Sequence, residues 1–309
     1  MAVVDVSFII LCWNSRQHLD GVLSSISRDL ADTDLTYEVI VIDNGSRDDS
    51  LNLLRDWQVR LEEQSPSRAR LFIVPLGSNT GTTFSRNIGL RLARGKYLCI
   101  LDSDITFNQP DTLTRLIAIL DKYPQAGIVV PSLLYATGRH QKSCDVFPTI
   151  THKIKRRFFL RQIEQRESDK KQSGGQLAID PALVLVEDSG KIDPRDATEE
   201  HYAISAFWLF RRSLIDSIGL LDERIFYAPE DVDYCLRAWL AGWWVLYVER
   251  VQATHHAQEI SRKKLVSRSS LSHLMGLIYF FRKHRFVFGL SGLVRRVRAA
   301  VKAWQPGRP

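Results

Sequence analysis

Two carboxylates one residue apart, Asp102 and Asp104, flank Ser103 directly after the apolar run Tyr97-Leu-Cys-Ile-Leu101. The run is rich in strand formers, so both acids should emerge where a buried strand ends. Two acids held close repel each other and lose solvation, and a divalent cation is the natural way to hold them together. A cation at a strand end is also well placed to clamp a diphosphate. The pair alone does not decide this, because two acids opening a loop are commonly just solvated. His255-His256 follows a strand predicted to end near Glu249. Adjacent histidines are more often a surface feature than ligands, but beside the acids one imidazole would complete a site for Mn²⁺ or Mg²⁺.

Three further groups bear on the same chemistry. Cys12-Trp13-Asn14 and Asp43-Asn44-Gly45-Ser46 each end a predicted strand. A nucleobase needs an aromatic face and an acceptor for its ring N–H, which Trp13 and Asp43 can supply. Ordinary turn chemistry accounts for the same residues, since Asn-Gly-Ser is a common turn and Trp13 could be core. Asn79-Thr-Gly81 followed by Arg86-Asn87 places a glycine turn at a helix start, with an arginine one turn in that can reach a phosphate or base. A plain helix cap is the simpler reading. Pro229-Glu230-Asp231-Val232-Asp233 opens a helix. First-turn acids complement the helix dipole, but three acids in four positions exceed what capping needs, and one could be a general base.

The elements that must position these groups alternate through the first hundred residues. Strands are predicted over 3–12, 37–43, 70–75 and 97–101, with helices over 17–28, 50–61 and 82–93, the last stopped by Gly95. This order argues for a parallel, doubly wound sheet with binding groups at the carboxyl ends of its strands. Further on, helices are predicted over 112–122, 212–218 and 231–241, and strands over 126–134 and 243–248, with regular structure also at 203–210. The basic, Gln- and Ser-rich stretch 153–175 reads as a mobile loop or a short amphipathic helix.

Composition is that of a soluble globular protein: 309 residues, 45% hydrophobic and 25% charged. The N-terminal apolar run carries Asp5 and no basic leader, so it reads as a buried strand rather than a signal peptide. Four cysteines without CxxC spacing point to a reduced, cytoplasmic protein without a thiolate zinc site. The net charge of +7 is uneven: from Ile260 onward there are 12 Lys or Arg and no acid, leaving 30 basic and 35 acidic residues in 1–259, a net of −5. A basic tail on an acidic body does not suggest a nucleic-acid-binding surface, and nucleic acid is not an expected partner.

In order along the chain, Cys-Trp-Asn14, Val-Ile-Asp-Asn-Gly-Ser46, Asn79-x-Gly81, Ser85-Arg-Asn-x-Gly89, Leu-Asp-Ser-Asp104, Gly219-x-x-Asp-Glu-Arg224, Glu230-Asp-Val-Asp233 and His255 resemble the family 2 glycosyltransferases of the GT-A fold. The resemblance covers roughly 6–256. It is nearest to single-addition enzymes of surface polysaccharide assembly, including rhamnosyltransferase-like proteins. It implies a GT-A domain over 1–258, with a nucleotide-sugar half to about residue 105 and an acceptor half beyond. It implies that Cys12, Trp13, Asn14, Asp43, Asn79, Arg86, Asp102 and Ser103 surround the nucleotide, and that Asp102, Asp104 and His255 hold the metal. Asp231, paired with Glu230, would be the catalytic base of an inverting transfer from a UDP- or dTDP-sugar to a glycan or lipid-linked acceptor. The family's frequent Ser-Gly-Ala pattern reads Ile204-Ser-Ala-Phe-Trp208 here, where an aromatic is expected to reshape the acceptor pocket.

Residues 259–309 form a basic extension. The apolar run 271–281 is too short to span a bilayer. Residues 286–304 mix apolar and cationic side chains that suit an anionic membrane surface, giving a peripheral protein on the inner face of the membrane. The alternative is a helical pair packed on the domain with its cations solvated. Three other functions fit less well. A nucleic-acid-binding protein would use the basic tail as its footprint, but the body has no aromatic-interleaved basic surface. A nucleotidyltransferase should have a Gly-rich loop after the first strand, where Cys-Trp-Asn-Ser-Arg16 has none. A non-catalytic nucleotide-sugar binder would not need Asp231.

Overall fold

Seven elements alternate as predicted: β1 (Val6–Cys12), α1 (Arg16–Asp29), β2 (Tyr37–Asp43), α2 (Ser50–Gln64), β3 (Ala69–Pro75), α3 (Thr82–Leu92) and β4 (Tyr97–Asp102). This computed structural model describes residues 4–65, 67–149, 181–187, 191–256, 268–286 and 289–306. The basic stretch 153–175 lies outside them. Strands β1 and β2 are buried almost throughout, which is why they read as continuous apolar runs rather than alternating ones. Helix α3 ends at Leu92 with Ala93 already extended, so Gly95 is not its stop. Gly95 instead allows a close approach to β1, since a Cβ there would lie 2.5 Å from the Ser7 amide nitrogen.

The chain continues through β5 (Ile105–Phe107), α4 (Thr112–Lys122), β6 (Ala126–Tyr135), β7 (His140–Gln141), β8 (Cys144–Asp145), β9 (Thr198–Glu199), β10 (Tyr202–Ala203), β11 (Phe207–Arg211), α5 (Arg212–Ile218), α6 (Glu230–Leu240) and β12 (Trp244–His255). The main sheet runs β3-β2-β1-β4-β11-β6-β12-β5, with β7 added beside β6 and β9 beside β12, while β8 and β10 pair separately. Its first four strands are parallel. Beyond β4 it becomes mixed, because β11 runs antiparallel to both β4 and β6. The result is a mostly parallel sheet flanked by helices.

Strand β12 reaches seven residues past the predicted end at Val248. Its register against β6 shifts between Val248 and Gln252, so the exposed Glu249-Arg250 pair marks a bulge and the strand resumes to His255. The aromatics of the 204–208 segment fill the core. Trp208 is fully buried and stacked on Tyr234 at 5.8 Å, and Phe207 stacks on Phe107 at 5.1 Å.

Two helices follow, α7 (Arg268–His284) and α8 (Ser291–Ala303). In α8 the apolar side chains turn inward: Leu293, Val294 and Val297 are buried, and Trp304 meets Trp243 edge-on at 5.3 Å. In α7, Lys283 binds Asp222 and Asp233 at 2.8 and 2.7 Å, and His284 Nε2 lies 2.7 Å from Asp233 Oδ1. No helix among the described residues is long and apolar enough to cross a membrane.

Candidate active site

Strand register sets the site's floor. Cys12 pairs with Asp43 and Leu11 with Asp102, so the carboxyl ends of β1, β2 and β4 lie in one row. Trp13, the first residue past β1, is 54% exposed and therefore not core. Asp43 is buried and accepts the Ser46 N–H at 3.3 Å. Asn14 adopts a left-handed conformation (φ 51°), donates its N–H to Ser46 Oγ at 2.9 Å and accepts the Arg47 N–H at 2.8 Å. Cys12 is buried, with Sγ 3.7 Å from Ser46 Oγ. An exposed indole thus follows the strand end that pairs with a buried carboxylate.

The loop before α3 is tied to this row by Asn44, which the sequence marks only as part of a turn. Asn44 accepts the Thr80 N–H at 2.8 Å and donates to Asn79 Oδ1 at 3.2 Å. Asn79 in turn accepts the Gly81 N–H at 3.0 Å, so its side chain braces the loop. Gly81 is required there: its φ is +86°, and a Cβ would sit 2.5 Å from the Phe226 carbonyl oxygen. Ser103 Oγ lies 2.7 Å from Ser15 Oγ, linking the Asp102–Asp104 turn to the start of α1.

Asp102, Asp104 and His255 come together, each offering a ligand atom within 4.8 Å of the others. The mixed sheet explains how Asp104 and the distant His255 meet: β12 pairs antiparallel with β5, setting His255 against Ile105, and the His256 N–H donates to the Asp104 carbonyl at 2.8 Å. His255 Nδ1 lies 2.9 Å from Gln141 Oε1 and Nε2 lies 3.3 Å from Asp104 Oδ1. Gln141 can only accept through that oxygen, which assigns the Nδ1 proton and leaves Nε2 turned into the cluster. His256 is directed elsewhere, 2.9 Å from Thr106 Oγ1 and stacked on His18 at 5.8 Å.

The electrostatics suit a cation. Burial, then the Asp104 charge, push the Asp102 carboxyl up against the pull of Arg86 and His255. Burial also opposes ionisation of Asp104 and His255, but their mutual hydrogen bond and charge outweigh it, lowering Asp104 and raising His255. Two carboxylate oxygens and one imidazole nitrogen, with that imidazole oriented by Gln141, form a donor set that fits Mn²⁺ or Mg²⁺.

The helix α6 acids are joined to this cluster by Arg86, which is almost wholly buried. Its Nη2 donates to Asp102 Oδ1 at 2.6 Å and to the Ser205 carbonyl at 3.1 Å. Its Nη1 donates to Ser205 Oγ at 2.6 Å and Glu230 Oε1 at 3.2 Å. Burial, then the Asp231 charge, push the Glu230 carboxyl up to about 8. Asp231, half-buried, accepts the Val232 N–H at 2.8 Å, while Asp233 is wholly buried among Arg237, Lys283 and His284. Of the three acids, Asp231 is the least buried. Gln141 carries no motif that would have marked it in the sequence, and Ser205 is marked only as part of the Ile204–Trp208 pattern, with no role of its own.

A family model described as Glycosyl transferase family 2 matches residues 7–219, more than half of the chain. The succinoglycan biosynthesis protein ExoO of Rhizobium meliloti (strain 1021) is 34% identical over 122 residues, 38% of this chain and 30% of that protein. The chain therefore matches less than a third of that relative's length. Among solved structures, the S. aureus TarS fragment 1-349 in complex with UDP-GlcNAc has a TM-score of 0.57 at 16% identity, covering 97% of this chain and 72% of that one. The mannosyltransferase PcManGT from Pyrobaculum calidifontis, in complex with GDP-Man and Mn²⁺, has a TM-score of 0.57 at 16% identity, covering 97% and 70%. At that identity the likeness is one of fold, and it is the GT-A fold that the sequence resemblance implied. The match to the family model over most of the sheet described above shows that this chain belongs to glycosyl transferase family 2.

Proposed function

We propose that the chain performs metal-dependent, inverting transfer of a sugar from a UDP- or dTDP-sugar to a hydroxyl of a glycan or lipid-linked acceptor in cell-surface polysaccharide synthesis. The observation that carries this reading is the Asp102–Asp104–His255 cluster, opening on the same row of strand ends as the exposed Trp13 and joined through Arg86 to Glu230. Support comes from the nucleotide sugars in the TarS and PcManGT structures and from the succinoglycan pathway named for ExoO.

In this reading Trp13 stacks on the base, Asp43 accepts its ring N–H, and Asp102, Asp104 and His255 hold the metal. A bound Mn²⁺ or Mg²⁺ would offset the charge that develops on the departing diphosphate. Asp231 takes the proton of the acceptor hydroxyl. That oxygen attacks the anomeric carbon as the bond to the diphosphate oxygen breaks, so configuration inverts. Glu230, fixed by Arg86 and Ser205, holds the first turn of α6 in place.

A thermal-shift panel of UDP, dTDP, GDP and CDP with Mn²⁺, Mg²⁺ or EDTA tests the donor site. A ligand at about 100 times its Kd stabilises by roughly 2.7 kcal/mol, about 5 °C for a chain of this size. UDP or dTDP with metal should give that shift, and Asp104→Ala should remove its metal-dependent part. An equal shift in EDTA and in the Asp104→Ala protein would exclude the cluster as the metal site.

The raised His255 predicts how metal binding depends on pH. The ion must displace the Nε2 proton, so Mn²⁺ affinity should drop about tenfold per pH unit below the His255 pKa and level off above it. Mn²⁺ titrations followed by electron paramagnetic resonance at about pH 6 and about pH 8 read this directly. A flat profile would remove His255 from the ligand set.

A further inference from the structure

Helix α7 has two faces with different environments. One is anchored to the body. Phe280 is fully buried, and Gly276 lies so close to the chain entering α6 that a Cβ would collide with the Ala228 carbonyl oxygen and lie 3.1 Å from Pro229 Cδ. Tyr279 donates to Asp222 at 2.8 Å beside the Lys283 and His284 contacts. The opposite face is open: Leu274, Met275 and Ile278 are 53%, 60% and 48% exposed, and Arg282 and Arg285 are exposed beside them. At helical spacing Leu274, Met275, Ile278 and Arg282 fall within an arc of about 100°, and Arg285 follows immediately past the helix end at φ 56°. Neither arginine makes an ion pair among the described residues, and no acid occurs from Ile260 onward.

Single exposed aliphatics are ordinary, but three together with two adjacent cations on a firmly docked helix form a surface with its own complement. A second copy meeting this face would cover the aliphatics but, having no acid on the same face, would leave the arginines without counter-charge. An anionic bilayer offers what both halves of the face lack: an apolar interior for the aliphatics and phosphates for the arginines. We propose that this face of α7 seats the protein on an anionic bilayer, with Leu274, Met275 and Ile278 at the headgroup–acyl boundary and Arg282 and Arg285 on lipid phosphates. The sequence placed this surface in 286–304, but α8 spends its apolar side on the body. Because α7 packs on Ala228-Pro229, immediately before Glu230, through the face opposite the open one, the seated protein would hold the start of α6 one helix diameter, roughly 10 Å, from the bilayer. That last step rests on the lipid-linked acceptor proposed above; the seating itself does not.

The test is co-sedimentation of the full chain, without nucleotide, with phosphatidylcholine vesicles and with vesicles containing about 30 mol% phosphatidylglycerol. Binding should require the anionic lipid and weaken with salt. Arg282→Gln with Arg285→Gln should lower partitioning about thirtyfold, near fivefold per cation, and Leu274→Ser, Met275→Ser and Ile278→Ser together should lower it at least as much. All five side chains are exposed, so both variants should keep the wild-type melting temperature and any nucleotide-induced shift. The proposal is overturned if the wild-type chain does not bind, if both variants bind as it does, or if only Arg295→Gln with Arg296→Gln on α8 removes binding. It is also overturned if light scattering shows a dimer that the triple serine variant disperses, which would assign the face to a second copy. Since no nucleotide is present, failure here leaves the donor-site reading standing, and the reverse also holds.

Discussion

Asp231→Asn should lower kcat by about 10²–10⁴-fold while donor affinity stays within about twofold of wild type, the range expected when a positioned base is lost. The substitution is nearly isosteric, and the amide oxygen can still accept the Val232 N–H, now at 2.8 Å from the carboxylate. The Arg86 links to Asp102 and Glu230 do not involve Asp231, so the metal cluster should keep its geometry. One secondary effect has a definite sign. The Asp231 charge is the second cause, after burial, of the raised Glu230 carboxyl, so removing it should move Glu230 down from about 8. Residual activity in the variant should therefore shift its pH profile toward acid. Turnover and donor Kd measured side by side decide the matter, and near-normal turnover would remove Asp231 as the base.

How far this site could be read from the sequence follows from how each residue is placed. Strand-end residues were legible because a buried parallel strand announces itself as an apolar run, and whatever polar residue follows must lie at the sheet's edge. Cys12, Asp43 and Asp102 were located that way, and the parallel register confirms that they share one row. His255 was harder. Glu249 and Arg250 interrupt the β12 pattern as a loop would, yet they form a bulge, and only the resumed pairing with β5 carries His255 to Asp104. A bulge and a loop look alike in one sequence, because both expose polar residues. Gln141 left no trace, and Ser205 stood in a quoted pattern without its role: each matters through hydrogen bonds fixed by chain reversals that no local pattern encodes. The tail failed for another reason. The amphipathic pattern of 286–304 correctly gives an apolar stripe but does not say what covers it, and in α8 the cover is the protein itself.

The residue whose role changed most between sequence and structure is Arg86, and its removal should have the second large effect. Its guanidinium makes four hydrogen bonds at once, two from each terminal nitrogen, which a lysine ammonium cannot reproduce in a plane. Taking one partner from a buried ion pair typically costs about 3–5 kcal/mol. Here the lower end applies. Asp102 is partly exposed and can rehydrate, and Glu230, already near 8, can take up a proton once its cation is gone. Arg86→Met should therefore destabilise by about 3 kcal/mol and lower the melting temperature by about 6 °C. Adding Glu230→Gln should restore part of that loss, since it removes the carboxyl left without a cation, and the double-mutant cycle reads the coupling directly. Catalysis should fall more than stability accounts for, because the same fork holds a metal-site carboxylate on one side and the base helix on the other. Metal-dependent donor affinity and kcat should drop together in Arg86→Met, whereas Asp231→Asn lowers kcat alone. Additive single-mutant effects, or a loss confined to donor affinity, would show that Arg86 does not join the two halves of the site.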